Sequence, residues 1–181
     1  PKDKERWPSV DIFIPTYNEP LDVVKPTVYA ALTVDWPKEK LNVYILDDGS
    51  RKEFKDFACE VGAGYIEREE HKHAKAGNIN HAMGITKGDF IAIFDCDHVP
   101  VKTFLQKTMG WFLKDEKIAL VQTPHHFYSQ DPFEKNLHLK ENVPNENSLF
   151  HDFIQKGNDT WNATMFCGSC AIMRRKALEE V

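Results

Sequence analysis

The segment DFIAIFDCD, residues 89–97, joins a short apolar run to a pair of acidic residues. The run from Phe90 to Phe94 is typical of a buried strand. Asp95 and Asp97 follow directly, and two like charges this close repel each other unless a positive group lies between them. In an extended segment both side chains point the same way, so we expect a site for Mg²⁺ or Mn²⁺ shared with phosphate oxygens. The alternative is an ordinary polar loop after a strand.

Similar apolar runs recur along the chain and alternate with helical segments. Predicted strands cover residues 10–14, 41–46, 64–68, 89–94 and 118–123, and predicted helices cover 19–34, 52–62, 74–88 (with Gly88 at its end) and 101–115. Beyond residue 130 the pattern weakens, to helices near 147–157 and after 173 and a strand within 164–173. The alternation predicts an α/β fold whose mostly parallel sheet is flanked by helices on both faces.

Composition limits the function classes. A length of 181 residues suits one domain, residues 1–181, and the net charge of -5 argues against a general nucleic-acid binder. The sequence has no apolar stretch of about 18 residues and no signal peptide, so we expect the piece to be soluble. It starts without methionine and ends in a helix-like segment without a stop signal, so we expect a fragment truncated at its C-terminus.

Polar motifs follow three of the predicted strands, and ligands of open parallel sheets bind beyond the carboxyl ends of strands. Tyr17, in PTYNE, offers a stacking surface for a base, with Glu19 close behind it. Asp47, in DDGS, can accept a hydrogen bond from a base edge such as the N3–H of uracil. A helix cap and a plain Asp-Gly turn are the respective alternatives.

Two further motifs have competing interpretations. Lys75 stands at the start of a predicted helix, where it suits a diphosphate, although His71 and His73 nearby could instead hold a metal. Cys167 and Cys170 form a Cys-x-x-Cys pair, which we interpret as a tight Gly-Ser loop against a ligand rather than a zinc or redox site.

Aromatic residues and histidines collect towards the C-terminus. They lie in residues 123–133 and at Trp161. They could line a path for a saccharide, or equally pack as a core under a loop.

In this order the motifs resemble the family-2 glycosyltransferases, and within them the bacterial cellulose synthases. The matching strings are IPTYNEP (14–20), LDDGS (46–50), HAKAGNIN (73–80), FDCDHVP (94–100), QTPHHFYSQDPFEKNL (122–137) and GNDTWNATMFCGSCAIMRR (157–175). The resemblance implies a GT-A fold, which is Rossmann-like. It also implies processive, inverting transfer of glucose from UDP-glucose to the 4-hydroxyl of a β-1,4-glucan.

The resemblance also implies roles for single residues. Tyr17 and Asp47 would hold the uracil with Glu19 beside them, and Lys75 would contact the diphosphate. Asp95 would touch the nucleotide sugar and Asp97 would ligate the metal. The family loop near the acceptor end of the glucan matches Phe166, Cys167, Gly168 and Ser169.

Parts of the family pattern are not in the sequence. They are the Thr-Glu-Asp motif with the general base, the Gln-x-x-Arg-Trp motif, the transmembrane helices and the cyclic-di-GMP-sensing domain. We expect the two motifs beyond Val181, so that this piece holds the donor and metal site and transfers sugar poorly by itself. The resemblance places the parent protein on the cytosolic face of the bacterial inner membrane, with other cellulose synthase subunits as partners.

Within the family, synthesis of other β-glucans stays open, and three functions outside the family remain as alternatives. FDCDHV also fits the signature of haloacid-dehalogenase-type phosphatases, in which Asp95 would be a nucleophile and Asp97 an acid or base. A nucleotidyltransferase would use a similar acidic pair, and a sugar-binding module would need neither metal nor nucleotide.

Overall fold

A computed structural model describes residues 6–125 and 150–180 of the chain. The strands are β1 (Val10–Thr16), β2 (Leu41–Asp47), β3 (Gly64–Ile66), β4 (Phe90–Ile93), β5 (Leu120–Gln122) and β6 (Ala171–Arg174). The helices are α1 (Leu21–Leu32), α2 (Lys52–Val61), α3 (Ala74–Ile85), α4 (Phe104–Lys114), a π-helical segment (Phe150–Gln155), α5 (Lys156–Thr160) and α6 (Arg175–Leu178), with a 3₁₀ turn at Lys38–Lys40. Helices and strands alternate up to β5, as the sequence predicts.

The strands form one six-stranded sheet in the order β3-β2-β1-β4-β6-β5. β1 pairs in parallel with β2 and with β4, and β2 pairs in parallel with β3. β6 pairs antiparallel with β4. The predicted α/β class with a mostly parallel sheet is therefore confirmed, and the antiparallel strand is an addition that the sequence did not indicate.

The central strand β1 is buried along its whole length, which its sequence VDIFIPT explains. Ile12 and Ile14 pack into the core on one face of the sheet, and Phe13 packs into the core on the other. A strand covered on both faces needs apolar side chains in both directions, so it is a continuous apolar run rather than an alternating one. Because β1 lies between β2 and β4, the PTYNE motif at its carboxyl end stands between the segments that follow those two strands.

Several predicted boundaries were wrong. α3 ends at Ile85, and Gly88 lies in the following connection, where its N–H donates to Asp11 Oδ2 at 2.7 Å. A Cβ at Gly88 would lie 2.6 Å from Asp11 Cγ, so the glycine serves a close approach and not a helix end. The helix predicted over 19–34 is α1, which does continue through Pro26. Within 164–173 only residues from Ala171 onward are in a strand.

The structure divides into two compact units. The first contains residues up to Val121 and from Gly168 onward, and the second is Gln122–Cys167, of which 122–125 and 150–167 are described. The predicted helix near 147–157 is described from Phe150, and its first residues lie outside the described part. None of the described helices has the length and apolar composition that crossing a lipid bilayer requires. Whether residues 1–181 form one domain stays a prediction.

Candidate functional site

A cavity of about 540 Å³ opens at the carboxyl ends of the parallel strands. Because β2, β1 and β4 are adjacent, the segments that follow them meet at one edge of the sheet. Its lining residues are Pro15, Thr16, Tyr17, Glu19, Val23, Asp48, His71, Ala74, Lys75, Asn78, Asp95, Cys96 and Asp97. The volume lies in the range of small-molecule and cofactor sites.

Five residues that the sequence analysis selected line this cavity together. They are Tyr17, Glu19, Lys75, Asp95 and Asp97. Tyr17 is 61% exposed, so its ring is accessible to a planar ligand. The cavity therefore combines an aromatic face, a cation and a group of carboxylates, which is the set of groups that a nucleoside diphosphate with a metal requires.

The acidic pair converges by a turn and not by strand alternation. β4 ends at Ile93, and the N–H of His98 donates to the carbonyl of Asp95 at 2.9 Å. Ligand atoms of Asp95, Asp97 and His98 lie within 4.8 Å of one another. The expectation of an extended segment was wrong, but the two carboxylates still face one point. Cys96 between them is buried, and burial, with Glu19 and the neighbouring aspartates, raises the pKa of its thiol to about 12.

Lys75 bridges two segments at the cavity. Its Nζ donates to Asp95 Oδ1 and to the carbonyl oxygen of Gly168, the latter at 2.6 Å. Ser169 is fully buried, and its Oγ accepts the backbone N–H of Asp95 at 2.7 Å. Ser169 therefore contacts the acidic loop directly and Gly168 contacts it through Lys75, although neither residue lines the cavity in the described part of the chain.

Glu19 is held by its own loop. Its Oε2 accepts the backbone N–H of Tyr17 and the hydroxyl of Thr16, both at 2.8 Å. Burial raises the pKa of Glu19, but hydrogen bonds from the backbone of Tyr17 and its neighbours and from Thr16 outweigh burial, so the pKa lies below its ordinary value. The side chain is therefore a carboxylate at neutral pH.

Asp47 is fully buried, and its carboxylate already accepts several hydrogen bonds. Oδ1 accepts the N–H of Gly49 and the guanidinium of Arg51, whose Nη2 lies 2.8 Å away. Oδ2 accepts the N–H of Arg51 at 2.7 Å and the hydroxyl of Tyr65 at 3.0 Å. Among the described residues, Asp48 lines the cavity and Asp47 does not. The contact of Asp47 with a base stays a prediction.

The sequence analysis missed Asp48 and the arginine that holds it. Arg68 donates through Nε and Nη2 to the two oxygens of Asp48, at 2.6 and 2.8 Å. Asn78 also lines the cavity; its Nδ2 donates to the carbonyl of Leu46, and its buried Oδ1 has no hydrogen-bond partner among the described residues. For the pair of Asp48 and Arg68, the available signal in the sequence was the arginine of GYIER, which comes just after a strand.

Phe166 and Cys167 lie in the second unit. There Gln155 donates through Nε2 to the carbonyl of Met165 and to Sγ of Cys167, both at 2.9 Å. Phe166 is 39% exposed and Trp161 83% exposed, so neither is a core residue of this unit as described. Residues 126–133 of the predicted aromatic path lie outside the described residues. In the part of the chain described, His71 and His73 belong to no group of three potential metal ligands.

Comparison with known proteins decides the family. The family model described as glycosyl transferase family 2 matches residues 11–181. The chain belongs to this family. The predicted resemblance is therefore confirmed, and the phosphatase, nucleotidyltransferase and plain sugar-binding alternatives are not supported. The fold of the chain is of the GT-A type.

Close relatives are cellulose synthases. The chain is 60% identical over 181 residues to the cellulose synthase catalytic subunit (UDP-forming) of Xanthomonas axonopodis pv. citri, covering 100% of the chain and 25% of the relative. It is 59% identical to cellulose synthase 1 of Komagataeibacter xylinus, covering 100% of the chain and 12% of that relative. The chain thus spans a quarter or less of the length of these curated relatives.

A solved structure supports the fold alone. It is glucosyl-3-phosphoglycerate synthase from Mycobacterium tuberculosis in complex with Mn²⁺, UDP and glucosyl-3-phosphoglycerate. The TM-score is 0.62 at 19% identity, and the match covers 97% of this chain and 60% of the other.

Proposed function

We propose that this glycosyltransferase is the donor-binding core of a cellulose synthase. The parent protein would transfer glucose from UDP-glucose to the 4-hydroxyl of a β-1,4-glucan, processively and with inversion at the anomeric carbon. Its work would take place on the cytosolic face of the bacterial inner membrane, together with other cellulose synthase subunits. The relatives with 59–60% identity over the whole chain support this assignment.

One structural observation carries the proposal. Tyr17, Glu19, Lys75, Asp95 and Asp97 come from three separate segments of the sequence and line a single cavity. Tyr17 would stack on the uracil, and the carboxylate of Asp47 or of Asp48 would accept its N3–H. Lys75, whose ammonium already contacts Asp95, would bind the diphosphate oxygens that approach the same point.

The donor set of the acidic turn fits a divalent metal. Carboxylate oxygens are the ligands that Mg²⁺ and Mn²⁺ prefer. Asp97 would ligate the metal, with Asp95 beside it on the nucleotide sugar. A bound metal would neutralise the charge that builds on the diphosphate leaving group. The Mn²⁺ and UDP in the mycobacterial synthase are consistent with this assignment.

The segment from Phe166 to Ser169 would form the side of the site that meets the growing glucan. The carbonyl oxygen of Gly168 accepts a hydrogen bond from the Lys75 ammonium, and Oγ of Ser169 accepts one from the backbone N–H of Asp95. Gly168 and Ser169, held in this way, would lie next to the donor diphosphate.

The proposal is tested by titrating the chain with UDP in a calorimeter, with and without Mg²⁺ or Mn²⁺. We expect metal-dependent binding that is lost in Asp97→Ala. Asp56→Ala, a change of an exposed aspartate on α2, is the matched control and should bind UDP as the unchanged protein does. Metal-independent binding, or full binding by Asp97→Ala, would contradict the metal role of Asp97.

A further inference from the structure

The guanidinium of Arg68 makes four hydrogen bonds near the cavity. Its guanidinium donates to both oxygens of Asp48, at 2.6 and 2.8 Å, to the carbonyl of Lys72 at 2.7 Å and to the carbonyl of Ala74 at 2.9 Å. The side chains of Arg68 and Asp48 are 5% and 9% exposed. Because the pair is bidentate and shielded from water, its geometry is far more constrained than that of a surface ion pair.

The two carbonyls that Arg68 binds flank an unfavourable stretch of backbone. His73 and Ala74 have φ values of 62° and 43°, in the left-handed region that L-residues other than glycine avoid. Such a conformation persists only where surrounding contacts impose it. The contacts of Arg68 with Lys72 and Ala74 supply that restraint on either side of His73.

The restrained stretch leads directly into Lys75. α3 begins at Ala74, and the N–H of Gly77 donates to the carbonyl of His73 at 3.0 Å, which forms the first turn. A Cβ at position 77 would lie 2.1 Å from the Lys72 carbonyl oxygen and 2.6 Å from Arg68 Nη1. Because Gly77 has no side chain, the guanidinium of Arg68 and the carbonyl of Lys72 can both pack against the start of α3.

Arg68 does not line the cavity but binds residues that do. Among the described residues, the lining includes Asp48, Ala74 and Lys75, each held directly or through its neighbour by Arg68, but not Arg68 itself. We propose that Arg68, anchored on Asp48, is a positioning residue that sets Lys75 in place for a nucleoside diphosphate. This inference rests on the proposed function, because it takes the diphosphate as the partner of Lys75.

The test is a double-mutant cycle between Arg68→Lys and Lys75→Met, read as the affinity for UDP with Mg²⁺ by calorimetry. Lysine keeps the charge beside Asp48 but has no planar fork for the two carbonyls. We expect Arg68→Lys to weaken UDP binding about tenfold where Lys75 is present, and less than about twofold in the Lys75→Met background. Equal losses in both backgrounds would overturn the inference, because Arg68 would then act independently of Lys75.

A matched control separates positioning from general stability. Arg174 also donates to backbone carbonyls, those of Ile118 and Phe112, and it packs on the rings of Phe90 and Phe112. Arg174→Lys should lower the thermal midpoint and leave the affinity for UDP unchanged.

A second readout needs no nucleotide. In Arg68→Lys the amide of Gly77 should exchange with solvent deuterons about tenfold faster, because its hydrogen bond closes the turn that Arg68 restrains, while the amide of Ile91 in β4 keeps its rate. If the unchanged chain binds no UDP, the proposed function fails, and the exchange rate then decides separately whether Arg68 holds the start of α3 and with it Lys75. An unchanged rate at Gly77 would overturn it.

Discussion

Glu19 shows at the scale of one residue how a loop fixes a charge. Its carboxylate accepts a backbone N–H from Tyr17 and a hydroxyl from Thr16. These bonds favour the ionised form more than partial burial opposes it, so the pKa of Glu19 is lower in the folded protein than in the unfolded chain. A carboxylate with this shift stabilises the fold only while it is ionised.

The sign of the pH dependence follows from linkage. Above the unfolded pKa of about 4.3 the full stabilisation is present, and it is lost as pH falls through the lower folded pKa. In Glu19→Gln this dependence is absent, so the difference in unfolding free energy between the two proteins should shrink as the pH falls from 6 to 3. Urea unfolding at a series of pH values measures it. A difference that stays constant with pH would show that the hydrogen bonds do not depend on the charge of Glu19.

The two aspartates at the end of β2, Asp47 and Asp48, show what the sequence could not predict about a single residue. The DDGS motif correctly indicated that carboxylates stand at the end of the strand. Which of Asp47 and Asp48 lines the cavity depends on Arg51 and Arg68, since each arginine engages one of the two carboxylates. Arg68 stands 20 positions after Asp48 in the chain, and no local pattern announces such a pairing.

At the scale of the element, α3 offers a comparison of two glycines in one helix. A Cβ at Gly77 would lie 2.1 Å from a backbone carbonyl oxygen, whereas a Cβ at the exposed Gly84 would meet nothing within 4 Å. Glycine inside a helix costs conformational entropy, so alanine is favourable wherever it fits. The same substitution should therefore have opposite effects at the two positions.

We expect Gly77→Ala to lower the free energy of unfolding by about 1–3 kcal/mol, because the start of α3 must shift. Gly84→Ala should raise it by about 0.5–1 kcal/mol. Chemical denaturation of both variants checks the signs, and UDP titration should show weaker binding for Gly77→Ala alone. Stabilisation by both substitutions would mean that the first turn of α3 adapts without strain.

The elements themselves were largely predictable, for a physical reason. Strands buried on both faces need continuous apolar runs, and helices between them need one apolar side, so both leave a local signal in the sequence. The boundaries that failed were set by distant contacts. Gly88 was taken for a helix end, yet its position is fixed by Asp11, 77 residues earlier in the chain. The antiparallel pairing of β6 has no local signal either.

At the scale of the whole molecule, one buried ion pair joins the first strand to the last described helix. Arg175, in α6, donates through Nη2 to Asp11 Oδ2 at 2.9 Å, and Asp11 is completely buried near the start of β1. Asn42 and Gly88 donate to the same carboxylate, from β2 and from the turn before β4. β1, β2, the connection before β4 and α6 thus meet at the carboxylate of Asp11. Asp11 lies several residues before the part of β1 that lines the cavity.

This arrangement predicts a particular pattern of stabilities. Removing one partner leaves a buried charge without its counter-ion, so Arg175→Met should cost about 3–5 kcal/mol of unfolding free energy. The double variant Asp11→Asn with Arg175→Met removes both charges and leaves an amide that Asn42 and Gly88 can still approach, so it should be more stable than Arg175→Met alone. Urea unfolding of the two variants beside the unchanged chain measures the difference. If the double variant is the less stable one, the carboxylate of Asp11 contributes through Asn42 and Gly88 more than through Arg175. Because the pair lies away from the cavity lining, the affinity of the folded double variant for UDP should equal that of the unchanged chain, which separates the stability of the sheet from the chemistry at its carboxyl edge.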